Sequence, residues 1–308
     1  MVKVTDDTQG VTCSRLPTLM GVAHPKAQTR TEYGDEIKAK RAGTWIETKQ
    51  NTWSRRTDRM EKMVIDVVLD DNPHLRILEG ANEIPYIADD IPLACSIDAM
   101  AVANEPITFV SPANDDLCIT GKFILEVKCT SSRRADLPLY QGPIQVQGQM
   151  YCTGIEQALI VRFNTITWEI EYWGLTWHQK TIDNIKTATK DFWDHVITGK
   201  PFDAEKDSDY QLLYSMSQPK TIDLTGNNHV GSAVADWVEG KKMREDGLAK
   251  MEQASEIIKP EMQDNEFAKV GDKKIHWPTR YYKSQPEKVV PQKAAYQMRQ
   301  KTISIKDE

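Results

Sequence analysis

Hydrophobic positions recur with two different periods along the chain, and the change of period marks its regions. Residues 14–22, SRLPTLMGV, open on Ser14 as a candidate N-cap, and Pro17 limits the helix to about its first turn. From Thr29 to Arg59 the chain is polar and basic, with no clean core pattern. Met60, Met63, Val64, Val67 and Val68 then recur at helical spacing, which predicts an amphipathic helix over 58–69. In the middle the pattern shortens. Residues 84–88, 91–97, 107–111 and 123–129 are β-rich runs bounded by Pro, Gly, Asn or Asp, and each reads as a strand. A helix over 143–153, strands over 157–163 and 168–175, and a helix over 178–197 complete this region.

Strands interrupted by helices predict an α/β fold: a central mixed β-sheet flanked by helices. Beyond about residue 200 the composition turns charged and polar, with one long helical stripe over 229–262 and a short hairpin over 266–277 turning at Gly271-Asp272. The expected organisation is a first domain over 1–200 and a mostly helical, polar extension over 201–308. The stripe reads better as a helix packed on its own core than as a coiled arm for a partner.

Composition narrows the chemistry. No window approaches the length of apolar sequence needed to span a membrane, and MVKVTDDTQG lacks the features of a secretory signal, so a cytoplasmic protein is expected. The phosphate-binding loop GxxxxGK[ST] and the metalloprotease helix HExxH are absent from the sequence. Cys13, Cys95, Cys118, Cys129 and Cys152 are scattered, with no CxxC pair and no histidine at zinc-ligand spacing; they read as reduced thiols filling apolar gaps. The net charge of −6 counts against nucleic-acid binding. Its force is reduced by basic clusters at Lys38, Lys40 and Arg41, at Arg55, Arg56 and Arg59, and at Arg133 and Arg134.

One strand carries the chemistry. In Phe123-Ile124-Leu125-Glu126-Val127-Lys128-Cys129 the apolar residues suit a strand buried on both faces, yet Glu126 and Lys128 lie within it, two apart and therefore on one face. Burying both is costly unless they pair or serve a metal. An acid that holds a divalent cation, a carbonyl of Val127 as a further ligand, and a lysine that orients or deprotonates a water together suit phosphodiester hydrolysis. A hard cation needs more oxygen than one carboxylate offers, and Asp98, after the strand ending at Ile97, is the natural second. Downstream, Gln147 and Tyr151 are four apart, so on one helical face, where the amide would support the site and the tyrosine would contact phosphate.

The series SIDAM (96–100), ILEVKC (124–129), Tyr140 and QVQGQMYCTG (145–154) resembles the lambda-exonuclease/YqaJ-like branch of the PD-(D/E)xK nucleases. CSRLPTLMGV (13–22), Glu61, the long helix after DLTGNN (223–228) and YQMRQKTISIK (296–306) extend the resemblance more loosely. It implies a restriction-endonuclease-like core in which Asp98 and Glu126 bind Mg²⁺, with Mn²⁺ as a substitute. Lys128 would act on the water, Gln147 would support the site, Glu61 would assist a metal or water, and Ser14 and Arg15 would meet the DNA 5′ end. The departures are Ile97-Asp98-Ala99 in place of Pro-Asp-Gly, a long gap to Glu126 read as an inserted hairpin around 104–122, which makes Asp115 and Asp116 rival ligands, and a missing glycine before Glu61. The implied activity is a metal-dependent exonuclease resecting 5′ strands of double-stranded DNA for phage-type recombination. Its implied partners are a single-strand annealing recombinase and further copies of itself in a ring, inside a bacterial host cell. The alternatives are an endonuclease of the same chemistry and a non-catalytic DNA- or annealing-protein-binding module.

Overall fold

The computed structural model describes residues 8–46, 52–113, 116–131, 136–214 and 220–279. Asp115, Arg133, Arg134 and the 296–306 segment lie outside the described residues. The chain divides into two units, 1–213 and 214–308. In chain order the first contains β1 (Val11–Thr12), a 3-10 turn (Cys13–Arg15), α1 (Leu16–Leu19), α2 (Arg30–Arg41), α3 (Thr52–Asp71), β2 (Leu75–Ile77), β3 (Tyr86–Ile87), β4 (Leu93–Cys95), β5 (Ala99–Phe109) and β6 (Leu117–Thr130). It continues with α4 (Pro143–Thr153), β7 (Gln157–Asn164), β8 (Ile170–Thr176), α5 (Gln179–Thr198) and α6 (Asp207–Leu213).

A five-stranded sheet runs β2-β5-β6-β7-β8. Only β6 and β7 pair in parallel, joined through α4; the other neighbours are antiparallel, so the sheet is mixed as expected. A smaller sheet runs β1-β4-β3. Pleating sends alternate β6 side chains to opposite cores. Ile124 joins Leu16, Ile144, Val146, Met150 and Ile185 on the α4 side, while Phe123, Leu125 and Val127 join Val64 and Val68 of α3 on the other. Two elements depart from the sequence pattern. β5 begins at Ala99, ahead of the expected 107, because Ala99-Met100-Ala101-Val102-Ala103 is buried on both faces yet rich in alanine, which carries little strand signal. The hairpin expected around 104–122 is the far half of the β5–β6 hairpin, with an irregularity between Ala103 and Ile107.

The polar stretch after Thr29 forms α2 by local chemistry. Thr29 Oγ1 accepts from the Glu32 amide at 3.1 Å, and Glu32 Oε2 accepts from the Thr29 amide at 2.9 Å, closing a capping box. Tyr33 and Ile37 are its large apolar anchors, too few to register as a period. Tyr33 stacks on Phe192 of α5, which stacks on Phe202 in turn, and the Asp209 carboxylate accepts from Thr29 Oγ1 at 2.6 Å. These contacts carry the first unit to Leu213, past residue 200.

Close approach of α4 to the turn at Cys13–Arg15 depends on Gly148. A methyl group there would lie 2.3 Å from Leu16 Cδ1 and 2.8 Å from Cys13 Sγ. Gly148→Ala is expected to destabilise the fold by about 1–3 kcal/mol, read from urea unfolding; an unchanged midpoint would show that α4 has room to retreat.

The second unit contains α7 (Asn228–Met262), β9 (Phe267–Val270) and β10 (Lys273–His276). Asn227 caps α7 by accepting from the His229 and Val230 amides, and Gly271 at φ +58° turns the hairpin where expected. Within its own unit the apolar stripe has no core to pack on, contrary to the preferred sequence reading. Val234, Val238, Leu248 and Met251 are exposed, and among the described residues of α7 only Met262 is buried. One four-residue-stranded hairpin is too small to cover 35 residues of helix. No helix among the described residues is long and apolar enough to cross a membrane.

Candidate active site

Glu126 and Lys128 share the β6 face that looks toward α4. Glu126 is 2% exposed, and the Lys128 ammonium donates to its Oε1 at 2.6 Å. In the antiparallel ladder Ala99 pairs with Leu125 and Met100 with Ile124, so one further step sets Asp98 across from Glu126. There the carboxylate takes the place of a strand partner: Asp98 Oδ2 accepts from the Val127 amide at 2.8 Å. The β5–β6 hairpin thus brings together the two acids and the amine that the sequence singled out.

The supporting helix presents a different face from the one expected. Gln145 Nε2 donates to Glu126 Oε1 at 2.6 Å, and its Oε1 accepts from Lys128 at 2.9 Å. Gln149 Nε2 donates to Glu126 Oε2 at 2.7 Å and to the Ser96 carbonyl at 3.1 Å. Gln147 does not reach the acids. Its Nε2 donates to the Thr176 carbonyl at 2.7 Å, and its Oε1 accepts from the His178 amide at 2.9 Å, tying α4 to the β8–α5 junction. Two helical residues turn the direction by about 200°, so the pair 145/149 and the pair 147/151 look opposite ways. Both were available in the sequence; α4 is apolar nearly all round, at Ile144, Val146 and Met150, and gave no signal of which pair faces inward.

The charges at this point do not balance. Asp98 is pushed well above the ordinary carboxylate range, by burial first and then by the Glu126 charge, with Glu61 adding to the effect against Lys128 and the Val127 amide. Burial disfavours the Lys128 ammonium, but Glu126, Asp98 and Glu61 outweigh it and hold its pKa above the ordinary lysine value. Three carboxylates therefore bear on one ammonium. A divalent cation relieves that excess, and the oxygens suit a hard ion. Glu126 uses three of its about four acceptor positions on Lys128, Gln145 and Gln149, and Asp98 uses Oδ2, so each acid keeps capacity for a cation.

This imbalance sets a pH dependence. Asp98 holds its proton more tightly in the folded chain, so the metal-free fold has this contribution in full below about pH 4. It is lost as pH rises through the raised folded value. Asp98→Asn keeps an acceptor for the Val127 amide without the charge. Its metal-free unfolding free energy at neutral pH should exceed that of the parent by on the order of 1 kcal/mol, with a flatter pH profile; a less stable variant would refute the charge excess.

The other expected residues lie as follows. Glu61, half-buried on α3, bears electrostatically on Asp98, Lys128 and Cys129. Ser14, exposed, is bonded to Thr12 Oγ1 at 3.2 Å, and Arg15 lies over the Tyr33 ring with Glu36 at 3.9 Å. Tyr151 is bonded to Asp90, with Lys186 over its ring, away from Glu126. Asp116 accepts from the Ser111 amide at 3.2 Å, as a turn residue does. Tyr140 meets His24 edge-on at 5.4 Å.

No protein-family model matches the chain, and no curated protein matches it. Among solved structures, it is similar to LHK-Exo in complex with dAMP, at 18% identity over 62% of this chain and 90% of that one, with a TM-score of 0.48. It is similar to the alkaline exonuclease LHK-Exo from Laribacter hongkongensis at 17% identity, with the same coverage and a TM-score of 0.47. A phage-related exonuclease from Haemophilus somnus 129PT matches at 16% identity over 62% of this chain and 96% of that one, with a TM-score of 0.40.

Proposed function

We propose that the chain is a metal-dependent DNA nuclease that hydrolyses phosphodiester bonds, acting as an exonuclease on double-stranded ends. The observation that carries this reading is the Glu126–Lys128 pair on β6, with Asp98 bonded to the amide between them. Asp98 and Glu126 would hold Mg²⁺, or Mn²⁺ in its place, with the Val127 carbonyl and Glu61 as further or water-mediated ligands. When bound, such an ion lowers the pKa of its water and offsets charge on the phosphate oxygens.

The residues around it have separable roles. Gln145 and Gln149 hold both Glu126 oxygens, so the carboxylate keeps one orientation. Lys128, held as an ammonium, accepts no proton; it orients the attacking water and meets charge building on the phosphate. Arg15 and Ser14 are candidates for the DNA end, and the sequence resemblance extends the reading to 5′-first digestion. It further suggests a ring of like subunits and a single-strand annealing partner.

The test uses linear duplex labelled at one 5′ end or one 3′ end, beside covalently closed circular duplex, with Mg²⁺ and with EDTA. Early release of the 5′ label as mononucleotide, with the circle intact, is expected. Cutting of the circle would make it an endonuclease, and inertness toward all three substrates would remove the nuclease reading.

A further inference from the structure

The sequence disperses its cysteines, but the fold gathers three of them. Cys13 in the 3-10 turn, Cys95 at the end of β4 and Cys152 near the end of α4 have sulfur atoms within 4.8 Å of one another. Cys13 and Cys95 are 1% and 2% exposed and Cys152 is half-buried; all are free thiols. Apolar packing alone does not require three thiols from three elements to converge. A thiophilic ion bonded at about 2.3 Å to three sulfurs sets them about 3.8–4.0 Å apart, which this spacing accommodates. We propose that Cys13, Cys95 and Cys152 form a second metal site, binding one thiophilic d¹⁰ cation of the Zn²⁺ class through three thiolates.

Two features beyond spacing support it. Hydrogen-bond contacts join Cys152 to Cys13 and Cys95, and the Ala88 amide also reaches the Cys152 sulfur, so soft donors are already gathered at one point. Its partial exposure gives an ion a way in, while the dry remainder of the site disfavours hard, hydrated ions. Binding releases the thiol protons to solvent, with no change of oxidation state. The site would clamp β4, which leads into Asp98, to α4, which carries Gln145 and Gln149. It shares no ligand with the carboxylate centre, although the Glu126 charge reaches Cys95, and it does not depend on the nuclease reading.

The experiment adds Cd²⁺ to the reduced, metal-stripped full chain, with Mg²⁺ in excess to occupy oxygen ligands. A thiolate-to-cadmium charge-transfer band saturating at one equivalent is expected, with three of the five cysteines protected from alkylation and identified by mass spectrometry as Cys13, Cys95 and Cys152. That footprint needs no variant. Cys152→Ala should abolish the band and weaken Cd²⁺ binding at least about 100-fold, since loss of an outer-shell partner alone costs 10–100-fold. Cys118→Ala with Cys129→Ala should change neither. No band, a band that survives Cys152→Ala, alkylation unaffected by Cd²⁺, or a disulfide among the three in the chain as isolated would each overturn the proposal.

Discussion

Lys128→Ala is expected to slow duplex digestion at saturating Mg²⁺ by about 10²- to 10⁴-fold without weakening Mg²⁺ binding. The split follows from the geometry. The Lys128 ammonium bonds to Glu126 Oε1 at 2.6 Å and so competes with a metal for that carboxylate. Deleting it leaves Asp98, Glu126 and Glu61 with less compensation, which favours a divalent ion. The same change removes the group placed to orient water and to meet charge on the phosphate. Lys128→Arg should not restore the rate, because a planar guanidinium cannot take the place of a compact ammonium between Glu126 and Gln145. Single-turnover digestion across a Mg²⁺ titration reads both quantities. A variant that loses Mg²⁺ affinity but recovers the full rate at high Mg²⁺ would make Lys128 an organiser of the metal ligands only.

The second large effect separates the glutamines of α4. Gln149→Leu removes the donor to Glu126 Oε2 and to the Ser96 carbonyl, leaving the acid free to turn. A fall of about 10–100-fold in Mg²⁺ affinity or in rate is expected, and Gln145→Leu should act in the same direction. Gln147→Leu breaks two bonds to backbone, from its amide to the Thr176 carbonyl and from the His178 amide to its oxygen, which tie α4 to the β8–α5 junction. It should cost about 1–3 kcal/mol of stability with the rate of the folded enzyme nearly unchanged. Denaturant unfolding and digestion, measured on all three variants, decide the matter. If Gln147→Leu proved the catalytic variant and Gln149→Leu the merely unstable one, the facing of α4 would be wrong.

Much of this was legible because local chemistry and tertiary structure agreed. Glu126 and Lys128 stood out as charges inside an apolar strand, and their common face follows from the period of two. Asp98 was legible as a neighbour on the chain, although its place opposite Glu126 is a matter of register, which sequence alone leaves open. What could not be read had weak or symmetric signals. α2 rests on a capping box and two apolar anchors, and the start of β5 on alanines. The α4 glutamines offered two equivalent pairs. Cys13, Cys95 and Cys152 come from three distant points, so their convergence has no spacing to reveal it. The α7 stripe had the pattern of a packed helix but no core within its unit to pack on.

The proposed chemistry needs two acids sharing one ion beside an amine. Crystals of the full chain grown with Mn²⁺, measured for anomalous scattering, test this directly. A peak about 2.0–2.3 Å from oxygens of both Asp98 and Glu126, with Lys128 Nζ close enough to bond an ion-bound water, is the predicted result. A Mn²⁺ peak that misses either carboxylate, or no peak at that place under saturating Mn²⁺, would contradict it.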